Sequence, residues 1–334
     1  MQFHEKRRQQ FLSEQYFEAD IQHALDISIP GLLQVLNAAD SDAEDRSRVS
    51  GVIAYITCKN FFLNYTAGES IAVLRDSFIS VVEAYERASR YYREYTKISD
   101  SPNFGFQEID DFERIIQLVG LAILLHRREL IPRIHSLISN SVYDGKHAMY
   151  EELIGHDLPD RPFLDAWYHQ LPYLHLLNAT DEKDSEAKIA KMEQYLKVWY
   201  ASMKNAGWHD SHLDVREDGG AYFGYWAIEA AAIVYLYNIN DSSFRNHIVY
   251  QKTCWILPGS SINKPYLHFW YPKNCLLKAA THAPKSATGS PLLYPAVFVI
   301  LNKARSCLYP WIRSMARPSG NGVVSNYRYK RTEG

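Results

Sequence analysis

Glu229 is the residue whose chemistry stands out first. It is alone among apolar neighbours in residues 222–237, which read YFGYWAIEAAAIVYLY. An ionised carboxylate in such a setting is costly unless it is paired or protonated. Two readings follow. Glu229 is a core carboxylate held by a Tyr hydroxyl, a Trp N–H, a His or Lys204, or it is an acid–base group; perturbed buried acids mark structural networks as well as functional sites. Just upstream, Trp208-His209-Asp210-Ser211-His212-Leu213-Asp214 places two His and two Asp in a short loop. His at i and i+3 can share a metal on one helical turn. A metal-dependent hydrolase would therefore draw on His209, His212, Asp214 and Glu229. His209-Asp210 also matches the HD dipeptide of metal phosphohydrolases, but the other ligands of that pattern have no recognisable place, and an HxxH spacing alone is common.

Other catalytic chemistry lacks its parts. There is no GxSxG, and no cysteine stands beside a His partner. A glycine-rich phosphate loop before a helix is missing, and Gly219-Gly220 reads as a turn. The acids Glu108, Asp110 and Asp111, and Asp214, Glu217 and Asp218, could do acid–base work. Equally, they suit a helix cap, a solvated face or the rim of a site for a basic partner.

These residues must be positioned by helices. Residues 69–97 carry Ile71, Leu74, Phe78, Val81, Tyr85, Ala88 and Tyr92 at three- and four-residue steps. The acidic run at residues 41–45 supplies a cap and first-turn charge for a helix that extends through Leu63, and Thr66-Ala67-Gly68 breaks it. Helices are expected at residues 11–25, 32–39, 108–125, 130–138, 143–154, 163–177 and 185–205, with Pro172 kinking or interrupting the one at 163–177. Residues 222–237, apolar nearly all round, are expected to form a buried axial helix. No convincing strand precedes Pro258. The expected fold is all-α, a helical bundle of stacked antiparallel helix pairs with an irregular basic C-terminal extension. The best boundaries give an N-terminal helical domain at 1–140, a C-terminal helical domain at 141–257 and a Pro-rich basic extension at 258–334.

Charge divides the chain in the same way. Through Leu257 there are 25 Lys and Arg against 37 Asp and Glu, 25 − 37 = −12; from Pro258 there are 11 against the single acid Glu333, 11 − 1 = +10. The helical body would repel nucleic acid and attract a basic partner. The four cysteines (Cys58, Cys254, Cys275, Cys307) are widely spaced, which fits a reducing cytosol. No secretory leader is expected from the charged N-terminal residues, and no apolar run is long enough to span a membrane.

Residues 199–250 resemble the PoNi family, immunity proteins for PoNe-type polymorphic DNase toxins. The matching residues are Trp199-Tyr200, Asn205 with Trp208, His212, Tyr222-Phe223-Gly224-Tyr225-Trp226, Glu229-Ala230-Ala231 and Asn240-Asp241-Ser242-Ser243-Phe244. Tyr65, Glu69, Ser70 and Leu74 extend the resemblance loosely into the N-terminal half. After His247 the chain departs from the family's usual ending and runs into the basic extension. The resemblance implies paired helical domains and a non-enzymatic cytoplasmic protein. Its partner would be a cognate DNase toxin domain, with no cofactor, no direct nucleic-acid contact and no membrane. Trp199, Trp208, His212, Tyr222, Gly224, Tyr225, Trp226, Glu229 and Asp241 would then be core residues. The toxin would meet acids such as Glu108, Asp110, Asp111, Asp214, Glu217 and Asp218.

Overall fold

A computed structural model describes residues 2–217 and 219–250. The expectations for Asp218 and for the extension from Pro258 lie outside the described residues. Within them the chain is all-α; no strand occurs, and a lone antiparallel bridge joins Arg216 to Gly219. Among the described residues, no helix is long and apolar enough to cross a membrane.

The N-terminal half begins with α1 (Phe3–Lys6) and α2 (Glu14–His23). A π-helical turn, Ala24–Ser28, carries α2 directly into α3 (Ile29–Leu36). Two separate helices were expected here, but Pro30 falls at the second residue of α3, where its missing N–H costs little. Next come α4 (Ala43–Ala67) and α5 (Ile71–Thr96), which form a long hairpin. Asp42 caps α4 by accepting from the Asp45 N–H at 2.8 Å, and Gly68 ends it in the left-handed region at φ +97°.

α6 (Ile109–Leu124) is the buried axis of the molecule. A 3₁₀ turn, Arg128–Leu130, leads to α7 (Ile131–His135), followed by α8 (Ala148–Gly155), α9 (Tyr173–Asp181), α10 (Ser185–Ser202) and α11 (Ile228–Leu236). α9 pairs with α10, and α11 packs on α6. The two helices meet tightly at Gly120, where a Cβ would come within 2.8 Å of Ile228 Cγ2. One continuous apolar cluster includes Phe62 and Phe78 from the first hairpin together with Tyr195, Trp199 and Ile233.

Two expected helices are shorter than their apolar pattern. Residues 163–172 are a loop, and α9 starts only after Pro172. Proline disfavours helical backbone in the residue before it. Residues 222–227 are likewise non-helical although wholly buried, and α11 is confined to nine residues. Gly224 sets that limit. Its φ is +114°, and a Cβ there would lie 2.2 Å from Trp226 Nε1 and 2.3 Å from Thr66 Oγ1.

Candidate functional site

Buried non-helical backbone must find its hydrogen bonds elsewhere. Residues 222–225 find them in side chains of the N-terminal half. Tyr16 Oη donates to the Tyr222 carbonyl at 2.7 Å, and Thr66 Oγ1 donates to the Phe223 carbonyl at 2.7 Å. Gln9 uses its whole amide. Its Nε2 donates to the carbonyls of Tyr225 (2.6 Å) and Ile248 (2.8 Å), while its Oε1 accepts from Tyr222 Oη (2.5 Å) and the Tyr225 N–H (2.8 Å). That fills the full hydrogen-bonding capacity of an amide side chain, two donors and two lone pairs. Trp226 Nε1 donates to Thr66 Oγ1 at 2.9 Å, with its ring edge-on to Tyr65.

Below this strap lies a centre of interior carboxylates. Glu229 is fully buried, and its Oε1 accepts from Tyr195 Oη and from Trp199 Nε1, the latter at 2.9 Å. Glu113, on the facing side of α6, accepts from Trp208 Nε1 and from Gln117 Nε2, the latter at 2.8 Å. Trp199 and Trp208 stack with ring centroids 5.3 Å apart, so the two acids are joined through their indole donors. Burial pushes the Glu229 carboxyl up and raises Glu113 to about 8; the indole bond from Trp208 opposes the second shift, and the nearby charge of Glu229 adds to it. The donors face the acids as supports, and aromatic rings fill the space around them.

The HxxH loop is built differently. His209 stacks on Tyr200 at 4.2 Å, and His212 Nδ1 lies 2.7 Å from Tyr225 Oη. Tyr225 Oη also accepts from the His212 N–H at 3.0 Å. Asp214 is exposed, and Glu229 is sealed in the interior. The four side chains of the metal reading therefore do not meet. Among the described residues no three His, Cys, Asp or Glu converge in a way that could hold a metal ion.

The candidate contact acids also separate. Asp111 is interior, 2% exposed, and accepts from the Gly105 N–H at 2.8 Å; burial raises it to about 7. Asp110 is half-buried and holds the Gly207 N–H between its two oxygens at 2.8 and 3.1 Å. Glu108, Asp214 and Glu217 are exposed, with no cation paired to them among the described residues. The Asp110–Gly207 bond seats the loop carrying Asp214 and Glu217 against the start of α6, where Glu108 stands. At its far end this loop is tied by Lys59 Nζ, which donates to the Gly220 carbonyl (3.0 Å) and pairs with Asp20 (2.7 Å). The last motif acid, Asp241, is buried, accepting from Arg245 Nε at 3.0 Å.

Sequence reasoning missed Gln9, Thr66 and Glu113. Gln9 follows the charged run Glu5-Lys6-Arg7-Arg8, and Thr66 stands at a helix end; neither setting signals a buried clamp. Glu113 had a usable signal, since it lies on the apolar face of residues 112–124.

The architecture is an all-α bundle in which the segment before α11 is strapped to the N-terminal half. Residues 145–253 match the family model described as PoNe immunity proteins (PoNi), C-terminal. The fold is similar to that of the crystal structure of protein PA2201 from Pseudomonas aeruginosa. The TM-score is 0.56 at 16% identity, over 74% of this chain and 89% of that one. No curated protein matches the chain.

Proposed function

We propose that this chain is an immunity protein that binds a cognate DNase toxin in the bacterial cytoplasm and blocks its access to DNA. The observation that carries the reading is the family match over residues 145–253. The surface chemistry supports it. A nuclease needs a cationic face for the phosphate backbone, and an acidic surface is the complement that steers and holds such a face. Here Glu108, Asp214 and Glu217 are exposed and unpaired among the described residues, on two segments joined by the Asp110–Gly207 bonds. Occlusion requires no catalytic group, so the interior acids can serve packing alone. Residues 1–140 act with the C-terminal domain as one scaffold, through the Gln9, Tyr16 and Thr66 contacts.

Co-expression tests the proposal. Cells making a cognate PoNe-type nuclease toxin should survive when they also make this chain, and a stable complex should be isolated from them. Toxicity that is undiminished, with no complex formed, would sink it.

A further inference from the structure

Phe163 is 92% exposed, more than any other large apolar side chain among the described residues. It stands at the tip of a loop that is fastened on both sides. On one side, Arg161 Nε donates to Glu151 Oε2 at 2.6 Å, and Arg161 Nη2 donates to Asp144 Oδ1 at 2.6 Å and Glu151 Oε1 at 2.9 Å. Glu151 is itself buried, at 3% exposure. Pro162 lies over Gly145, whose missing Cβ would be 3.6 Å from the proline ring. On the other side the Ala166 carbonyl accepts from the Ala148 N–H at 2.8 Å, and the Trp167 ring meets His147 edge-on at 5.6 Å. A side chain left in water does not need so much fixing. Holding it costs conformational freedom, which is recovered when a partner receives an already ordered group.

We propose that Phe163 is the aromatic anchor of the toxin complex, seated in an apolar recess on the basic nuclease domain. This rests on the immunity reading above and names the central contact of that interface. The charge around the loop fits the same partner. Asp160 and Asp165 are exposed on either side of Phe163 and have no cation paired with them among the described residues. The loop also borders the acidic start of α6. His169 lies 5.5 Å from Phe112, ring to ring, and feels the charge of Glu108. An anchor ringed by like charges is the arrangement by which one buried aromatic supplies affinity while the surrounding acids supply steering. Arg161 is a positioning residue for it. The guanidinium touches no partner but fixes the backbone on which Phe163 stands.

The test uses the full chain and the nuclease domain of a cognate PoNe-type toxin, carrying an inactivating substitution. Affinity and melting temperature are measured together. Phe163→Ala should weaken binding by about 30-fold or more and leave melting unchanged, because the side chain packs on nothing. Phe163→Leu should restore part of the loss. Ile27→Ala, at a residue 52% exposed on the π-helical turn, should leave affinity unchanged. Arg161→Ala should slow association more than Phe163→Ala does, because the tip is no longer held in place. Wild-type binding with no loss in Phe163→Ala would overturn the anchor and leave the immunity reading standing. Absence of binding by the wild-type chain would overturn both.

Discussion

The protein carries two populations of carboxylates that obey opposite rules. Asp111, Glu113, Glu151, Glu229 and Asp241 are interior. Each has at least one oxygen met by donors fixed in the fold, such as the indoles of Trp199 and Trp208 and the guanidiniums of Arg161 and Arg245. Glu108, Asp214 and Glu217 face water and have no fixed partner among the described residues. A buried carboxylate is expensive to leave unmet, so its surroundings become specific. An exposed one is inexpensive, so it is free to meet another molecule. The first population specifies one structure. The second is available for a partner, and the chemistry that looks most unusual in the sequence belongs to the first.

The comparison is broken most severely through the strap that surrounds the interior acids. Gly224→Ala should destabilise the chain by about 3 kcal/mol or more, since it adds both left-handed strain and overlap with Trp226 and Thr66. Chemical denaturation reads this directly. A variant as stable as the parent would show that residues 222–227 can adopt another path.

Glu229 sharpens the interior half of the comparison. Replacing it by Ala leaves Tyr195 Oη and Trp199 Nε1 without their acceptor and should cost about 1–3 kcal/mol. Glu229→Gln keeps that acceptor, since one oxygen receives both donors and the other has no partner, and it should cost clearly less. Equal losses in the two variants would mean that the charge, not the acceptor, matters.

A smaller effect follows from titration. Asp111 and Glu113 titrate at about 7 and about 8 in the folded chain, against ordinary values of 3.8 and 4.5. Between those limits the folded chain retains protons that the unfolded chain has released. Their contribution is therefore full below about pH 4 and is lost as pH rises through 7 and 8. The Asp111 share of the fall in stability between pH 5.5 and pH 8.5, read by urea unfolding, should be about 2 kcal/mol, roughly 1.5 pH units at about 1.4 kcal/mol each, and should vanish in Asp111→Asn. A rise in stability over this interval would contradict the assignment.

Much of the scaffold is legible from periodicity. The α4–α5 hairpin, α6 and α10 follow from apolar spacing with caps and breaks in the expected places. The carboxylate at Glu229 is legible too, as a core acid, while the choice of Tyr195 and Trp199 over a His or Lys204 as its donors comes only with the fold. What escapes is long-range. Residues 222–227 have the composition of a buried helix, and only a backbone glycine at positive φ, supported by Gln9 and Thr66 from some 160 to 216 positions away, makes them a strap. Such partners leave no local mark. Asp111 illustrates the same limit. Beside Asp110 in an acidic first turn it reads as a surface residue, yet one step along a helix rotates it into the core. Residues 163–171 escape in part: their apolar spacing reads as helix, and Pro172, expected to interrupt that helix, instead marks where α9 begins.

The most direct test of the two-population account is one sample measured two ways. The triple substitution Glu108→Lys, Asp214→Lys, Glu217→Lys is titrated against the inactivated nuclease domain, and its unfolding is recorded in parallel. The account predicts unfolding within about 0.5 kcal/mol of the parent, as for other surface changes. It also predicts binding weakened by at least about tenfold, with a shallower dependence on salt. Unchanged affinity in a fully folded triple variant would contradict it.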